Sequence, residues 1–274
     1  MKKNCLAWMI IAGFATLACS LSIAPADRTS PAPPATEAQS GIPFFASPVT
    51  LEIPNGLASS ARADGMDLVT DQTGAPWEVG PAHLQITLQD YSLASSSHVP
   101  QIFVYPAPEY AAENPGAAES LKRLQTILSN PGGQYTNDQY PHVPFFNAGQ
   151  VFAAQEKTLS FNGGSGIRFV TQYAQDISPI NNGGVFYLFE GLSSDGKYYM
   201  IAILPVNLPF LPADNNPDSL VPSGGIAFPQ NNAPGLDFDA YFKKVTQLID
   251  TAPSGQFSPP LNTLDTLIQS ISIQ

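Results

Sequence analysis

The sequence predicts an α+β fold in which a single antiparallel β-sheet is covered by about three α-helices and a long proline-rich loop. The main observation lies in residues 167–209, where apolar and aromatic runs flank Asp195-Gly196. An Asp-Gly dipeptide between such runs is typical of a β-hairpin with a two-residue turn, because glycine tolerates the positive φ of the turn. The second observation is a helical spacing of apolar residues after Asn114 and after Asp237.

Further strands are predicted on the N-terminal side of residues 167–209, which we call the meander. Val49–Ile53 alternates apolar and polar residues and ends at a turn sequence, and so do residues 83–91. The latter run is predicted to pair with residues 99–105 as a hairpin with a long loop. Residues 57–81 contain Asp64-Gly65, Thr73-Gly74 and Pro76, and they are predicted to be loop with one short helical turn near residues 57–62.

Two more strands are predicted just before and at the start of the meander. They span residues 150–161 and 167–173, and the glycine-rich segment 162–166 between them predicts a turn of four or five residues. In the strands of the meander, the even-numbered and the odd-numbered residues are both largely apolar. A sheet with water on one face would alternate more cleanly, so this sheet is predicted to be covered on both faces.

Three helices are predicted to cover one face of the sheet. The first begins at Asn114-Pro115, with asparagine as N-cap and proline in the first helical position. Asp237 caps the second, and Pro259-Pro260 precede the third. Between Pro205 and Pro234 the chain holds seven prolines and little periodicity, which predicts a long loop over the other face.

Composition narrows the class of protein. The 274 residues carry only 12% charged side chains, with 27 prolines and 21 glycines, as in turn-rich exported proteins. The net charge of −11 excludes nucleic acid as a partner, because an acidic surface repels phosphates. Cys5 and Cys19 precede the predicted domain, residues 42–274, so neither a disulfide framework nor a cysteine zinc site is predicted within it.

The N-terminus is predicted to be an export signal. Residues 1–18 begin with Lys2-Lys3 and continue with an apolar stretch that is short for a permanent membrane span. Residues 19–41 are rich in proline, alanine and serine and lack periodicity, which predicts a tether. If extended, a proline-rich tether of this length reaches roughly 60 to 70 Å.

Cys19 is the predicted lipidation site. A small residue followed by cysteine at the end of a signal resembles the bacterial lipoprotein signal, in which the thiol is lipidated after cleavage. The predicted location is therefore extracytoplasmic, with the membrane as a partner through this lipid anchor. Thr16 stands where the family pattern usually has leucine, so ordinary secretion remains the alternative.

A ligand site is predicted on the meander. A simple antiparallel pairing that sets Tyr173 opposite Val185 also sets Arg168 opposite Glu190, and a charged pair among aromatic side chains is a candidate ligand-binding group. The aromatic residues named for this site are Tyr173, Tyr187, Tyr198 and Tyr199. The structural alternative is a cross-strand ion pair, worth at most about 1 kcal/mol when exposed.

No catalytic or metal-binding motif is recognisable, and no cofactor is predicted. The three histidines have no partner at a metal-ligand spacing. Residues 214–218 offer oxygen ligands at short spacing, yet they lack the central glycine and the closing glutamate of a calcium loop, which favours a solvated loop. An enzyme would have to use carboxylates such as Glu78, Asp176 or Glu190 brought into one cleft.

The meander also carries a resemblance. The strings Gly166-Ile167-Arg168-Phe169, Pro179-Ile180-Asn181-Asn182 and Asp195-Gly196-Lys197-Tyr198-Tyr199 resemble a set of uncharacterised exported bacterial proteins and lipoproteins. The opening strand, the meander and the terminal helix are more distantly similar to the PsbP-like α+β layout. Neither resemblance implies an activity.

Two functions follow as hypotheses. The first is a non-enzymatic, membrane-anchored lipoprotein outside the cytoplasm that binds a protein or small-molecule partner, which the absence of a recognisable catalytic motif favours. The second is a cell-surface hydrolase that uses paired carboxylates.

Overall fold

An antiparallel sheet of seven strands forms the centre of this protein in a computed structural model, which describes residues 41–93, 96–230 and 237–274. The predicted signal, Cys19 and the predicted tether as far as residue 40 lie outside the described residues. The strands are β1 (Ile42–Ala46), β2 (Val49–Ile53), β3 (Ser60–Met66), β4 (His83–Gln89), β5 (Gln101–Pro106), β6 (Gly149–Gln150), β7 (Ala154–Phe161), β8 (Gly164–Thr171), β9 (Tyr173–Ala174), β10 (Phe186–Ser193), β11 (Tyr198–Pro205) and β12 (Ser272–Ile273). The helices are α1 (Ala107–Glu113), α2 (Pro115–Ser129), α3 (Phe238–Asp250) and α4 (Leu261–Ser270).

The α+β class is confirmed, but the prediction of a single sheet is wrong. The seven-stranded sheet has the order β3-β4-β5-β11-β10-β8-β7, a second sheet has the order β1-β2-β12, and β6 pairs with β9. The C-terminal strand β12 completes the second sheet by pairing with β2 near the start of the domain. This long-range pairing is invisible to local sequence patterns, because a two-residue strand carries no periodicity.

Hairpins build most of the central sheet. The pairs β4–β5 and β10–β11 form as predicted. The predicted two-residue turn at Asp195-Gly196 is wrong, because residues 194–197 make the turn, with Gly196 at φ of +74°. The predicted turn of four or five residues at 162–166 is wrong. Phe161 pairs directly with Gly164, so Asn162-Gly163 alone makes a two-residue turn, with Gly163 at φ of +97°.

The edge strand β3 replaces the helical turn that the sequence predicts near residues 57–62. Its residues are exposed or half-buried on both faces, so no hydrophobic alternation marks it as a strand. Backbone pairing with β4 along its whole length holds it in the sheet.

The predicted helix starts are confirmed. The Asn114 side chain accepts a hydrogen bond from the Ala117 amide (3.1 Å) at the start of α2, and the Asp237 side chain accepts one from the Ala240 amide (2.8 Å) at the start of α3. Helix α4 begins directly after Pro260. Helix α1 is an addition to the predicted three, and its seven residues were too few to show a helical period.

Helices cover both faces of the central sheet, which corrects the prediction that they cover one. Helices α1 and α2 pack on one face, which we call the front face, whereas α3, α4 and the β1-β2-β12 sheet pack on the other, the back face. The proline-rich loop adds Phe210, Leu211 and Phe228 to the core of the back face. The prediction that both faces are covered is therefore confirmed, although the loop shares its face with two helices.

Candidate functional site

The structure separates the two charged residues of the predicted ligand site. In the pairing of β8 with β10, Arg168 lies opposite Phe189 and Glu190 lies opposite Ile167, so the predicted register is wrong by one residue. A shift of one residue reverses which face of the sheet a side chain points to. Arg168 consequently points to the back face with Tyr187, whereas Glu190 points to the front face with Tyr199.

Arg168 is part of a buried ion-pair network on the back face. Its Nε donates to Asp265 Oδ1 (3.0 Å) and its Nη2 to Asp265 Oδ2 (3.3 Å), and both side chains are less than a tenth exposed. Lys157 Nζ adds a bond to Oδ2 (2.8 Å), and the Tyr187 hydroxyl donates to Oδ1 (3.1 Å). A fifth group, the Gln155 carbonyl, accepts from Arg168 Nη1. The network joins α4 to the sheet, and each of the three guanidinium nitrogens of Arg168 already donates to a protein oxygen in this buried position.

Glu190 is fully buried on the front face under α2. Its Oε2 accepts hydrogen bonds from the Tyr199 hydroxyl and from Ser120 Oγ (3.0 Å), while its Oε1 has no hydrogen-bond partner. Burial raises the pKa of Glu190 to about 7, although the bonds from Tyr199 and Ser120 oppose this rise. The side chain is therefore a neutral carboxylic acid below that pH.

Tyr173 also lies inside the fold as a structural residue. Its hydroxyl accepts a hydrogen bond from the Val143 amide (2.9 Å) and donates one to Gln150 Oε1 (3.0 Å). Burial, with a smaller contribution from nearby Glu190, raises the pKa of Tyr173, so the phenol stays neutral. The hydroxyls of Tyr173, Tyr187 and Tyr199 thus donate to three different side chains, those of Gln150, Asp265 and Glu190. Tyr198 lies half-buried against the core of the back face.

The carboxylates named for a hydrolase are not brought into one cleft. Glu78 lies in the connection from β3 to β4, where its Oε2 accepts from the Ala75 amide (2.9 Å). Asp176 lies in the connection from β8 to β10, at the opposite end of the sheet. Glu190 is enclosed between the sheet and α2.

A polar pocket of about 420 Å³ lies at the end of the sheet that holds Asp176, and its lining makes it the candidate site. The connection from β4 to β5, the connection from β8 to β10 and the chain that follows β11 all begin at this end, because Thr171 and Pro205 both pair with Phe186. The lining residues are Ser97, His98, Gln172, Tyr173, Ala174, Gln175, Asp176, Ser178, Asn181, Gly183, Gly184, Asp214 and Asn215.

Backbone hydrogen bonds join the three segments around this loop-end pocket. The Ser97 amide donates to the Gly183 carbonyl (2.8 Å), and the Gly183 amide donates in turn to the Ala213 carbonyl (3.0 Å). Gln172 and Asn181 fix the middle segment, since Gln172 Oε1 accepts from the Asn181 amide (3.0 Å). The pocket walls are therefore held in place without a ligand, as is usual for small-molecule sites.

The charge of the loop-end pocket is negative. Asp176 and Asp214 line it, and no lysine or arginine does. Hydrogen bonds from Ser219 and from the Asn216 amide lower the pKa of Asp214. Burial lowers the pKa of His98, although a hydrogen bond to the Gly184 backbone opposes this, and the ring packs against Phe186 with 4.5 Å between ring centroids. The imidazole is consequently neutral near pH 7 and does not offset the two carboxylates.

Sequence reasoning missed most of this pocket. His98 comes from the connection between β4 and β5, whereas Gln172 and Asn181 come from the connection between β8 and β10, and none of the three belongs to a catalytic or metal motif. A signal was present in the Pro179-Ile180-Asn181-Asn182 string, because an asparagine-rich turn with a proline often holds a loop through side-chain to backbone bonds. Among the described residues, no group of three or more histidine, cysteine, aspartate or glutamate side chains is placed to hold a metal ion.

Within residues 41–93, 96–230 and 237–274, no helix has the length and apolar character needed to span a bilayer. In comparisons with known proteins, no family model, no curated protein and no solved structure matches the chain.

Proposed function

We propose that this protein is a non-enzymatic, extracytoplasmic lipoprotein that binds a small polar ligand in the loop-end pocket. The observation that carries this proposal is the pocket itself, a preformed polar cavity in which two carboxylates face no basic side chain. A neutral or positively charged ligand suits such a cavity, whereas an anion would be repelled. The wide range of hydrogen-bonding groups in the walls favours a ligand rich in hydroxyl or amino groups.

The chemistry of the pocket favours binding over catalysis. Glycoside hydrolysis requires one carboxyl group with a raised pKa as the acid. Among the described residues, the carboxyl group with a raised pKa is Glu190, which does not line the pocket. The hydrolase alternative retains one supporting observation, that Asp176 and Asp214 line the same cavity.

Calorimetric titration with three matched sugars tests the ligand class. We expect protonated glucosamine and glucose to bind the compact unit Gln39–Gln274 more tightly than gluconate does, because the pocket carries negative charge. Asp176 is exposed and accepts no hydrogen bond within the described residues, so Asp176→Asn should leave the fold intact. We expect this change to weaken glucosamine binding by about fivefold, since a partly exposed charge pair contributes about 1 kcal/mol.

The matched control is Asp71→Asn, which removes an exposed carboxylate at the opposite end of the sheet. It should leave all three affinities unchanged. Tighter binding of gluconate than of glucosamine, or equal effects of the two variants, would contradict the assignment of the ligand class. Release of a hydrolysed product from a glycoside that is lost in Asp176→Asn would instead support the hydrolase.

Membrane fractionation tests the proposed anchor. In a bacterial host, the full chain should appear in the membrane fraction, and Cys19→Ser should release it, because the proposed lipid is attached through this thiol. Cys5→Ser is the matched control and should stay with the membrane, since residue 5 is removed with the predicted signal. Continued membrane association of Cys19→Ser would refute lipidation at this residue.

A further inference from the structure

Strand β3 is an open edge of the central sheet. It pairs with β4 on one side, and no other strand of the described residues pairs with its second side. Ser60, Arg62, Ala63, Gly65 and Met66 are exposed, and a Cβ atom added at Gly65 would meet no atom within 4 Å. An open strand edge presents unpaired backbone groups, and natural proteins rarely leave one without a charge, a cover or a partner.

The register of β3 shows which backbone groups face the open side. The Leu88 amide donates to the Pro100 carbonyl, so the backbone groups of Leu88 point toward β5. Because these groups alternate along a strand, those of its neighbour Thr87 point toward β3. Thr87 lies opposite Arg62, so the backbone groups of Arg62 point toward β4. By alternation, the amide and carbonyl groups of Ala61, Ala63 and Gly65 point to the open side.

The charges on β3 would complement those on β3 of a second copy of this protein. Arg62 and Asp64 stand on either side of Ala63 and point to the same face of the sheet. If a second copy pairs antiparallel with Ala63 opposite its own Ala63, each Arg62 lies opposite the Asp64 of the other copy. Ala61 then lies opposite Gly65, and these small residues allow the two strands to approach closely.

Among the described residues, Asp64 has no well-directed hydrogen-bond partner. Its Oδ2 atom is shielded from solvent and lies 2.9 Å from Arg62 Nη2, yet the direction of this contact does not satisfy a hydrogen bond. Two residues at positions i and i+2 of one strand are poorly placed for a bidentate contact. A guanidinium directly across a non-hydrogen-bonded pair is better placed, since side chains are closest there.

We propose that two copies of this protein associate through β3, antiparallel about Ala63, and so join their central sheets into one continuous sheet. The backbone groups of Ala61, Ala63 and Gly65 supply the hydrogen bonds, and reciprocal Arg62–Asp64 ion pairs set the register. The interface is small, so we expect a dissociation constant on the order of 10–100 µM.

Sedimentation of charge variants of the compact unit Gln39–Gln274 tests this proposal. At about 200 µM, above the expected dissociation constant, the unchanged protein should be mainly dimeric. Arg62→Glu makes the strand wholly acidic and Asp64→Arg makes it wholly basic, so each variant alone should be monomeric. An equimolar mixture of the two should form a heterodimer, because every carboxylate then faces a guanidinium.

A backbone variant separates strand pairing from other contacts. Ala63→Pro removes an amide that points to the open side and is unused in the β3–β4 pair, so the fold should persist while dimers are lost. The matched control is Ser60→Ala, an exposed change at the end of the same strand that should leave the dimer intact. A monomeric unchanged protein at about 200 µM, or a mixture of charge variants that stays monomeric, would overturn the proposal.

Discussion

Replacing Asp265 by alanine is expected to lower the free energy of unfolding by about 3–5 kcal/mol. The change leaves the Arg168 guanidinium buried on the back face without its carboxylate, and it removes the acceptor of the Tyr187 hydroxyl and of Lys157. The cost of an unpaired buried charge is far larger than the value of an exposed pair. Urea unfolding monitored by far-UV circular dichroism measures this loss.

Two controls show whether burial of the charge causes the loss. Lys157→Met removes the half-exposed partner of the same carboxylate, and it should cost no more than about 1 kcal/mol. The double change Arg168→Met with Asp265→Leu removes both buried charges and keeps the volume, so it should cost less than Asp265→Ala alone. An Asp265→Ala variant as stable as Lys157→Met would show that Arg168 finds another partner or water.

The pH dependence of stability should reveal the buried acid Glu190. Its pKa rises from 4.5 in the unfolded chain to about 7 in the folded protein. Between these values the unfolded chain releases a proton that the folded protein keeps, so the contribution of Glu190 to stability falls as the pH rises. Below pH 4.5 this loss is absent, and above pH 7 it is constant at about 3 kcal/mol, because one pKa unit corresponds to roughly 1.4 kcal/mol.

Glu190→Gln should remove this pH dependence, because the amide has nearly the same shape and does not ionise. We expect the variant to unfold with a free energy similar to that of the unchanged protein near pH 4.5 and up to about 3 kcal/mol higher above pH 7. Subtracting the two curves of unfolding free energy against pH leaves the contribution of Glu190, because the other acids are the same in both proteins. Glu113→Gln, the same chemical change at an exposed position of α1, is the control. A difference that does not change with pH would show that Glu190 is ionised in the fold.

Local patterns predicted the elements whose signals are themselves local. The caps at Asn114 and Asp237, the hairpin around Asp195-Gly196 and the alternation in Val49–Ile53 each specify their structure within a few residues. Strands β3 and β12 and helix α1 escaped prediction. Their formation depends on backbone pairing or on packing against distant segments, since they are too short or too exposed for a period to show.

The predicted ligand site failed for a different physical reason. Residues of both parities in β8 and β10 are apolar, because both faces of the sheet are buried, so hydrophobic alternation does not distinguish two registers that differ by one residue. A two-residue turn would have fixed the register, but the long connection between these strands does not. The loop-end pocket was missed because its walls come from three connections whose proximity follows from the strand order.

The separation of Arg168 from Glu190 has a consequence for the kinetics of folding. A register shifted by one residue would place these two opposite charges side by side, so a competing hairpin has its own electrostatic attraction. The groups that favour the native register come from far along the chain, namely Asp265, 97 residues after Arg168, and Ser120, 70 residues before Glu190. We therefore expect docking of α2 and α4 to complete the selection of the native β8–β10 register, and such long-range closure is slow.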